Sequence, residues 1–355
     1  MKKGTSTAAA VQAAPYVPVD ADFQLKNNFE EIGIDSNFSA QSFWKDVITR
    51  FFKKTSAVVG MILIILITIM AAIGPGMNGY TYSGQTLSEK NLAPRVKGLE
   101  KLGIFDGSET MNTTRGSKTV NNYEEKGLDD VYYWFGSDNF GRDIWTRTWE
   151  GARVSLIIAI AAALIDMIIG MSYGLISGYF GGKVDMVMQR ILEIANGIPR
   201  LVIVTLLLLV FQPGMLTIVI ALMLTEWVGM SRIARAEMLK LKEQEFVLAS
   251  RTLGAGHFSI IFKEVLPNII GPIITQVMFS IPTAIFTEAF LSFVGLGIPV
   301  PRCSLGSLIS EGFNSFTTHP YQIIPPIIVM ALLMLSFNLV ADGLREALDP
   351  KLKEM

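Results

Sequence analysis

An uncharged apolar segment, residues 56–75, constrains this chain more than any other feature of the sequence. It has the length of about 20 residues that an α-helix needs to cross the roughly 30 Å hydrocarbon core of a membrane. Backbone polar groups in hydrocarbon must be hydrogen-bonded within the segment, which favours a helix. Residues 5–20 lack the leucine-rich core of a cleaved signal peptide, so we expect this first span to be retained.

Five further apolar segments predict an all-α polytopic membrane protein with six transmembrane helices. Charged residues make up 17% of the 355 residues and apolar residues 50%, whereas soluble proteins average about 25% charged residues. We expect Pro199 to kink the third span, and Gly271, Pro272 and Pro282 to distort the fifth. The predicted spans two to six are residues 153–178, 184–211, 215–231, 268–296 and 322–341.

Lysine and arginine are concentrated in three segments that the span pattern places on one side of the membrane: the N-terminal flank, the loop between spans four and five, and the C-terminal tail. The positive-inside rule makes that side the cytoplasm, so both termini are expected there. The predicted division is a cytoplasmic tail with a basic amphipathic segment (1–55), the first span (56–75), an extracellular segment (76–150), a core domain (151–342) with a cytoplasmic loop (232–267), and a cytoplasmic C-tail (343–355).

Two local patterns predict specific contacts. In residues 41–54, aromatic and aliphatic residues recur at helical spacing between lysines and arginines, which predicts an amphipathic helix on the membrane surface. The polar start of the next helix is an equally good interpretation. In the second span, Gly170, Gly174 and Gly178 form a small-residue stripe, which lets another helix approach closely.

Three carboxylates lie at membrane depth: Asp166 in span two, Glu226 near one end of span four, and Glu288 in span five. A carboxylate that faces lipid is costly, so each should face the helix bundle or a water-filled path. We take Asp166 and Glu288 as candidates for a translocation path. A structural hydrogen bond between helices is the alternative for each.

The sequence indicates neither an enzyme nor a metal site. It contains no phosphate-binding loop and no His-Glu-x-x-His motif. The single cysteine, Cys303, excludes an internal disulfide and a cysteine metal cluster. The only histidines, His257 and His319, lie in predicted loops on opposite sides of the membrane. A net charge of −1 gives no indication of nucleic-acid binding.

The predicted cytoplasmic loop, residues 232–267, has the pattern of a docking surface. Its first part is helical, and Gly254 and Gly256 break the helix. A second short amphipathic run follows over residues 257–266, and Pro267 should end it before span five. Two short helices joined by a glycine elbow make a compact surface for a partner protein. A connector that lies on the lipid is the alternative.

This loop resembles the EAA loop of ABC importer permeases, which fits into a groove on the partner ATPase. The family pattern is Glu-Ala-Ala, three residues, a glycine, and a Leu-Pro pair that ends thirteen residues after that glycine, as Pro267 follows Gly254 here. Leu248-Ala249-Ser250 stand in place of Glu-Ala-Ala. The residues that the resemblance assigns to ATPase coupling are Glu245, Leu248, Ala249, Ser250, Gly254, Leu266 and Pro267.

Residues 130–355 are also similar to the second membrane subunit of permeases in the oligopeptide/dipeptide branch. The matching motif before span two consists of Gly136, Asp138, Gly141, Arg142, Asp143, Gly151, Arg153 and Ser155. Further matches are residues 178–185, 198–199, 288–297 and 348–350. Leu305 stands where members of the family usually have tryptophan.

The resemblance implies a type-I ABC importer permease core formed by spans two to six, with the first span and an extracellular insert added. It implies import of oligopeptides across a bacterial cell membrane, together with a homologous second permease, two cytoplasmic ABC ATPases and an extracellular peptide-binding protein. ATP and magnesium would bind to the ATPases, and this chain would carry no cofactor. The alternatives are import of another small solute such as nickel, or a proton-coupled secondary transporter that uses Asp166 and Glu288.

Overall fold

The computed structural model of the chain describes residues 43–113 and 116–349. The predicted tail at residues 1–40 and the last six residues of the predicted C-tail, 350–355, lie outside the described residues. Residues 1–45 form one unit, described only at its end, and residues 46–355 form a second.

The described residues are mostly helical, which confirms the predicted all-α membrane protein. Five helical segments are long and apolar enough to span a membrane: Thr55–Gly76, Ile144–Phe180, Met215–Leu241, His257–Phe293 and Pro320–Leu348. The elements are α1 (Phe43–Lys53), α2 (Thr55–Ile73), β1 (Ser108–Thr113), β2 (Gly116–Asn121), α3 (Asn122–Glu125), α4 (Ile144–Phe180), α5 (Gly182–Gly197), α6 (Arg200–Val210), α7 (Met215–Thr225), α8 (Trp227–Leu241), α9 (Glu245–Thr252), α10 (His257–Ser259), a π-helix (Ile260–Val265), α11 (Leu266–Phe293), α12 (Leu305–Asn314) and α13 (Ile324–Leu348). Short 3₁₀-helices are Gly74–Gly76, Leu87–Glu89, Glu100–Leu102 and Pro320–Gln322.

Three predicted boundaries differ from the observed ones. α4 begins at Ile144 rather than 153, because the Asp143 carboxylate caps it by accepting from the backbone N–H of Thr146 at 2.7 Å. α8 continues to Leu241, past the predicted end of span four at 231 and into the predicted cytoplasmic loop. α13 ends at Leu348, so the predicted boundary at 342/343 falls inside a helix.

The third predicted span is a broken helix, as Pro199 led us to expect. α5 and the following helical residues up to Val210 are bent by 83° at this proline. α7 and α8 meet at Glu226, where φ of −82° and ψ of −30° stay helical, and together they form one span. By contrast, Pro272 and Pro282 lie inside α11 without ending it.

The prediction that Pro267 ends a helix is wrong, because the helix runs on through it from His257 to Phe293. A proline ring normally clashes with the carbonyl four residues earlier. Here a π-helix precedes the proline, and the Leu266 N–H bonds to the Ile261 carbonyl five residues back. This wider turn makes room for the ring in the first turn of α11.

The glycine stripe of α4 packs against α8, which confirms the predicted close approach. A Cβ added at Gly174 would lie 2.1 Å from the Ser231 carbonyl oxygen, and one at Gly170 would lie 2.5 Å from the Trp227 carbonyl oxygen. Gly178 continues the stripe, with 2.9 Å to the nearest atom of α8. No side chain larger than hydrogen fits between these backbones without moving the helices apart.

α2 packs against α13. A Cβ at Gly60 would lie 2.8 Å from the Ser336 carbonyl oxygen, and one at Gly343 would lie 2.3 Å from the Ala57 Cβ. Small residues on both helices therefore allow their close contact, as is common in membranes.

A helix over Phe43–Lys53 confirms the helical pattern of residues 41–54. Its apolar residues divide into two sets. Val47 and Phe51 are buried in a cluster with residues of α2 and α13, whereas Ile48 and Phe52 are both 54% exposed. Only exposed residues of this helix, such as Ile48 and Phe52, can therefore make the predicted contact with the membrane surface.

The segment between α2 and α4, residues 76–143, is called the insert. Its strands β1 and β2 form an antiparallel hairpin in which Ser108 pairs with Asn121. Leu92, Tyr123 and Tyr133 form its own small core. The insert is thus a folded region, held at its base by the residues that precede α4.

Candidate functional site

A groove follows one face of α11 through three adjoining cavities of about 690, 210 and 430 Å³. Gln276 lines the first and second cavities, and Thr283 lines the second and third. The α11 residues of this groove recur every three or four positions, as expected for one face of a helix. They are Gly271, Pro272, Thr275, Gln276, Phe279, Ser280, Thr283, Phe286, Thr287, Phe290 and Leu291.

One helix break and one helix junction line the groove beside α11. Asn196, Ile198 and Pro199 come from the α5–α6 break, and Thr225 and Glu226 come from the α7–α8 junction, where the backbone stays helical. Non-helical backbone at membrane depth is tolerated where it is buried in protein or lines a water-filled cavity. The α5–α6 break therefore favours a groove that water enters.

The groove combines neutral polar groups and aromatic rings with charged residues at one end, where Glu237, Lys240, Arg345 and Asp349 line the 690 Å³ cavity. Hydroxyl and amide side chains can both donate and accept hydrogen bonds, and the phenylalanines add apolar surface. In the middle cavity the charged lining residues are Glu226 and Arg232. The neutral polar residues are Asn196, Thr225, Thr275, Gln276, Ser280, Thr283 and Thr287.

The two predicted path carboxylates occupy different positions. Asp166 is buried and accepts a hydrogen bond from the Ser280 hydroxyl at 2.7 Å, and Ser280 lines the groove. Glu288 is fully buried and accepts from the Ser155 hydroxyl at 3.1 Å and the Ser292 hydroxyl at 2.7 Å. The structure therefore brings Asp166 to the groove through a serine, whereas the hydrogen bond between Glu288 and Ser155 joins α11 to α4.

The junction around Glu288 contains two of the three motif residues of α4, Gly151 and Ser155. The Leu305 N–H donates to the Ser155 hydroxyl oxygen at 3.1 Å. A Cβ at Gly151 would lie 3.0 Å from the carbonyl carbon of Ser304. Leu305, which departs from the family pattern, is fully buried here. These contacts hold the start of α12 against α4.

The motif before α4 contains a buried ion network. Arg142 donates to Asp138 at 2.6 Å and to Glu311 at 2.7 Å, and Arg147 donates to the same carboxylates at 2.6 and 2.9 Å. Two guanidinium groups thus neutralise two carboxylates where a lone charge would be strongly destabilising. Sequence reasoning missed Arg147, which is 1% exposed, and its partner Glu311 lies 164 positions away.

The remaining motif residues form tight turns in the insert and join α4 to α2. Gly136 and Gly141 have positive φ of 84° and 70°, and a Cβ at Gly141 would lie 1.9 Å from a carbonyl oxygen of the insert. Arg153 donates to the carbonyl oxygens of Ala71 and Ala72 at 2.9 Å. A cation is favourable at this C-terminal end of α2, where carbonyl groups lack helical partners.

The predicted coupling loop presents an exposed apolar surface, formed by α9, the turn at residues 253–256 and α10, and called the coupling surface. Gly254 lies in the turn with φ of 84°, which agrees with the predicted glycine elbow. Leu248, Leu253 and Phe258 are 46%, 88% and 65% exposed. Clustered exposed apolar residues are typical of a protein-docking site.

The other residues assigned to coupling occupy two places. Glu245 and Ala249 are exposed on α9, and Ser250 beside them is half-buried. Leu266 and Pro267 lie in the first turn of α11 rather than in a loop. Some of the residues assigned to coupling therefore lie on the coupling surface, and others lie on α11, the helix that lines the groove.

Side-chain contacts connect the coupling surface to α4. A second set of contacts connects α5 to α8. The Tyr179 hydroxyl lies 3.0 Å from His257 Nδ1, and the Arg251 guanidinium lies 5.5 Å from the centre of the Tyr179 ring. Arg235 makes two hydrogen bonds of 2.6 Å to Asp185. A displacement of the surface would thus act directly on the end of α4.

Residues 170–174 read Gly-Met-Ser-Tyr-Gly, which matches the Gly-x-Ser-x-Gly elbow of serine hydrolases. That elbow is a strand-to-helix turn, whereas these residues lie inside α4. Its two glycines pack against α8, so the match assigns no catalytic serine. Within residues 43–113 and 116–349, no three histidine, cysteine, aspartate or glutamate side chains are arranged to hold a metal ion.

Known transport proteins resemble this chain in sequence over most of its length. Residues 170–354 match the family described as binding-protein-dependent transport system inner membrane component, and residues 42–94 match the N-terminal TM domain of oligopeptide transport permease C. The chain is 41% identical over 313 residues to the oligopeptide transport system permease protein OppC of Bacillus subtilis (strain 168), covering 88% of this chain and 91% of that protein. It is 42% identical over 321 residues to the dipeptide transport system permease protein DppC of Lactococcus lactis subsp. cremoris (strain MG1363), covering 89% and 92%. A solved inward-facing structure of the MetNI methionine ABC transporter is 16% identical, with a TM-score of 0.49 and coverage of 57% of this chain and 96% of that chain.

Proposed function

The chain belongs to the family of binding-protein-dependent transport system inner membrane components, and from this premise we propose that it imports oligopeptides or dipeptides as one of two permease subunits. It is a multi-pass membrane permease, and such a subunit is not itself catalytic. The names of its relatives refer to oligopeptide and dipeptide transport. The observation that carries the proposal is the α11 groove.

The α11 groove is this chain's share of the translocation path. A peptide is a chain of amide donors and acceptors with variable side chains. Neutral hydroxyl and amide groups can exchange hydrogen bonds with its backbone, and the phenylalanine rings can contact apolar side chains. Asp166 is a path residue that acts through Ser280. Glu288 remains a path candidate, although its serine partners favour a role in holding α4 and α11 together.

The coupling surface receives the energy of ATP hydrolysis. Two cytoplasmic ABC ATPases bind ATP and magnesium, and their closure displaces the coupling surface that they contact. Contacts of Tyr179 with His257 and Arg251 pass the displacement to α4. The groove then opens alternately to the two sides of the membrane. The permease has two conformations, and the ATPases change which of them is more stable.

The remaining partners follow from the same assignment. A homologous permease completes the path, and an extracellular peptide-binding protein delivers the cargo on the side of the insert. Both termini, the amphipathic segment and the C-tail lie in the cytoplasm, and the chain resides in a bacterial cell membrane. Residues 151–342 with the loop 232–267 form the core domain of the permease.

Two glycines of the coupling surface provide a matched test. Gly254 has φ of 84°, whereas Gly256 has φ of −68°, and a Cβ at either position would meet no atom within 4 Å. A left-handed conformation costs an alanine about 1–2 kcal/mol, so Gly254→Ala should deform the elbow and Gly256→Ala should not. We expect ATP-dependent uptake of labelled peptide to fall with Gly254→Ala and to disappear with Gly254→Glu, at unchanged amounts of protein in the membrane. Uptake that survives both Gly254→Ala and Gly254→Glu would refute the coupling role.

Purification of the tagged chain from its own membrane tests the assembly. We expect a second permease and two ATPases to accompany it, and peptide uptake by the reconstituted complex to require ATP. A chain that transports alone in vesicles without ATP, and loses transport with Asp166→Asn, would instead be a proton-coupled transporter.

A further inference from the structure

A cluster of aromatic side chains lies where the end of α2, the insert and the start of α4 meet. The Trp145 ring lies 4.7 Å from the Trp134 ring, 4.8 Å from the Phe135 ring and 5.6 Å from the Trp149 ring, measured between centroids. The Trp145 indole N–H donates to the Gly74 carbonyl, at the end of α2, at 2.9 Å. Tryptophan is enriched where hydrocarbon meets water, so this cluster sets the depth of the insert's base.

An apolar pocket of about 280 Å³ lies beside this cluster, between the insert and the start of α13. Phe105 and Phe135 line it from the insert, and Tyr321, Ile324 and Ile328 line it from the α13 side. The Tyr321 hydroxyl donates to a backbone carbonyl of the insert at 3.2 Å. The pocket therefore suits a ligand that needs no hydrogen bonds.

The loop that supplies Phe105 has an exposed apolar tip. Leu99, Ile104 and Phe105 are 40%, 55% and 51% exposed, and Lys97 and Lys101 beside them are exposed as well. Apolar tips flanked by lysines are typical of segments that enter the surface of a membrane, because lysine can reach the headgroups while its stem stays apolar.

The backbone of this loop is held in an unusual conformation at its tip. Phe105 has φ of 53°, which is a genuine outlier for a bulky residue. Such conformations persist where the surrounding structure imposes them, often at ligand sites. Here the conformation accompanies a half-exposed Phe105 ring at the mouth of the pocket.

We propose that residues 97–105 anchor the insert in the adjacent membrane leaflet, and that the pocket binds one acyl chain of a membrane lipid. Ile324 and Ile328 are 49% and 51% exposed on a helix that spans the membrane. At the depth of the tryptophan cluster this exposed face meets hydrocarbon, so the pocket opens onto lipid chains. The family assignment concerns transport and says nothing of this site.

A fluorescence experiment tests the anchor. Cys303 is the only cysteine, so Cys303→Ala gives a background in which Phe105→Cys or Glu125→Cys can carry a single bimane label. The full chain, with the subunits that accompany it, is placed in phosphatidylcholine vesicles with or without bromine on the acyl chains. We expect brominated lipid to quench about half of the fluorescence at position 105, because an apolar tip enters the leaflet, and almost none at the exposed acidic position 125. Equal quenching at both positions would overturn the proposal.

A pair of neighbouring isoleucines tests the pocket. Ile328→Trp fills it, whereas Ile327→Trp adds the same bulk to an exposed residue of α13 that does not line the pocket. Native mass spectrometry of the purified protein should show one bound phospholipid fewer for Ile328→Trp than for Ile327→Trp or the unchanged chain. Equal lipid retention by the two variants would overturn lipid binding in the pocket. In the fluorescence experiment, a bimane label at position 105 that is protected from quenching only when another subunit is present would also overturn it, and would indicate a protein partner.

Discussion

The packing of α4 against α8 makes a strong prediction about a single methyl group. In Gly174→Ala, the new Cβ would lie 2.1 Å from the Ser231 carbonyl oxygen, and 2.8 Å from both the Ala234 Cβ and the Arg235 backbone nitrogen. Ordinary van der Waals contact begins at 3.4 Å. The obstacles are largely backbone atoms of a helix, which cannot rotate aside. The two helices would therefore have to separate along this part of their contact.

The loss of folding free energy in Gly174→Ala is the difference between a packing penalty and a gain in helix propensity. Inserting a methyl group into a packed interior destabilises a protein by about 1–3 kcal/mol, and a contact this short favours the upper end. Replacing glycine by alanine inside a helix returns about 1 kcal/mol. A net loss of about 2 kcal/mol remains. At an unfolding entropy of about 2.1 cal/mol/K per residue, a chain of 355 residues loses about 1.3 °C per kcal/mol, so the midpoint of thermal unfolding should fall by about 3 °C.

Differential scanning fluorimetry of the purified protein measures this loss. Gly229→Ala is the matched control, because Gly229 lies in α8 and a Cβ there would meet no atom within 4 Å. We expect the control to melt at the temperature of the unchanged protein or above it. Gly170→Ala, with its nearest atom at 2.5 Å, should lose less than Gly174→Ala. If Gly174→Ala melts with the control, the close approach of α4 and α8 is refuted.

Three further changes test other parts of the structure. Asp138→Asn leaves the buried Arg147 with one carboxylate fewer, and should lower the free energy of unfolding by about 3 kcal/mol; an unchanged melting temperature would contradict the ion network. Asp185→Asn removes the paired hydrogen bonds with Arg235. Since coupling free energies of 1–3 kcal/mol correspond to about 5–150-fold, we expect ATP-dependent uptake to fall about tenfold at equal protein levels, and normal uptake would refute a role in coupling. Burial raises the pKa of Cys303 to about 11, so little thiolate forms near pH 8, and maleimide should label the thiol only after unfolding.

The features that the sequence predicts well depend on neighbouring residues. The uncharged run 56–75 predicts a span because its length matches the bilayer. Pro199 predicts a break because the ring acts on its own helix. Gly170, Gly174 and Gly178 predict a close contact because residues four apart lie on one helix face. In each case the physical cause lies within a few turns of chain.

The features that the sequence misses depend on distant residues or on unusual backbone. Arg147 acquires its role only when folding brings Glu311, 164 positions away, to its side. Pro267 remains within a helix because a π-helix precedes it, and no residue pattern in the loop signals that turn. The α11 groove requires the α5–α6 break and the α7–α8 junction to meet the same face of α11, which periodicity along one helix cannot show. The stripe on α4 predicts a contact, but not that α8 provides it.

The contact between α2 and α13 has a consequence for how the chain is made. α2 is translated early, whereas the residues that receive its small face, Ser336 and Gly343, are among the last described residues to be synthesised. During nearly the whole of translation α2 therefore sits in the bilayer without its main packing partner, and domains generally mature in the order in which they emerge. We expect a ribosome that stops before α13 to leave a membrane-inserted chain whose first helix lacks its contacts with α13, which a membrane protease can distinguish from the finished protein.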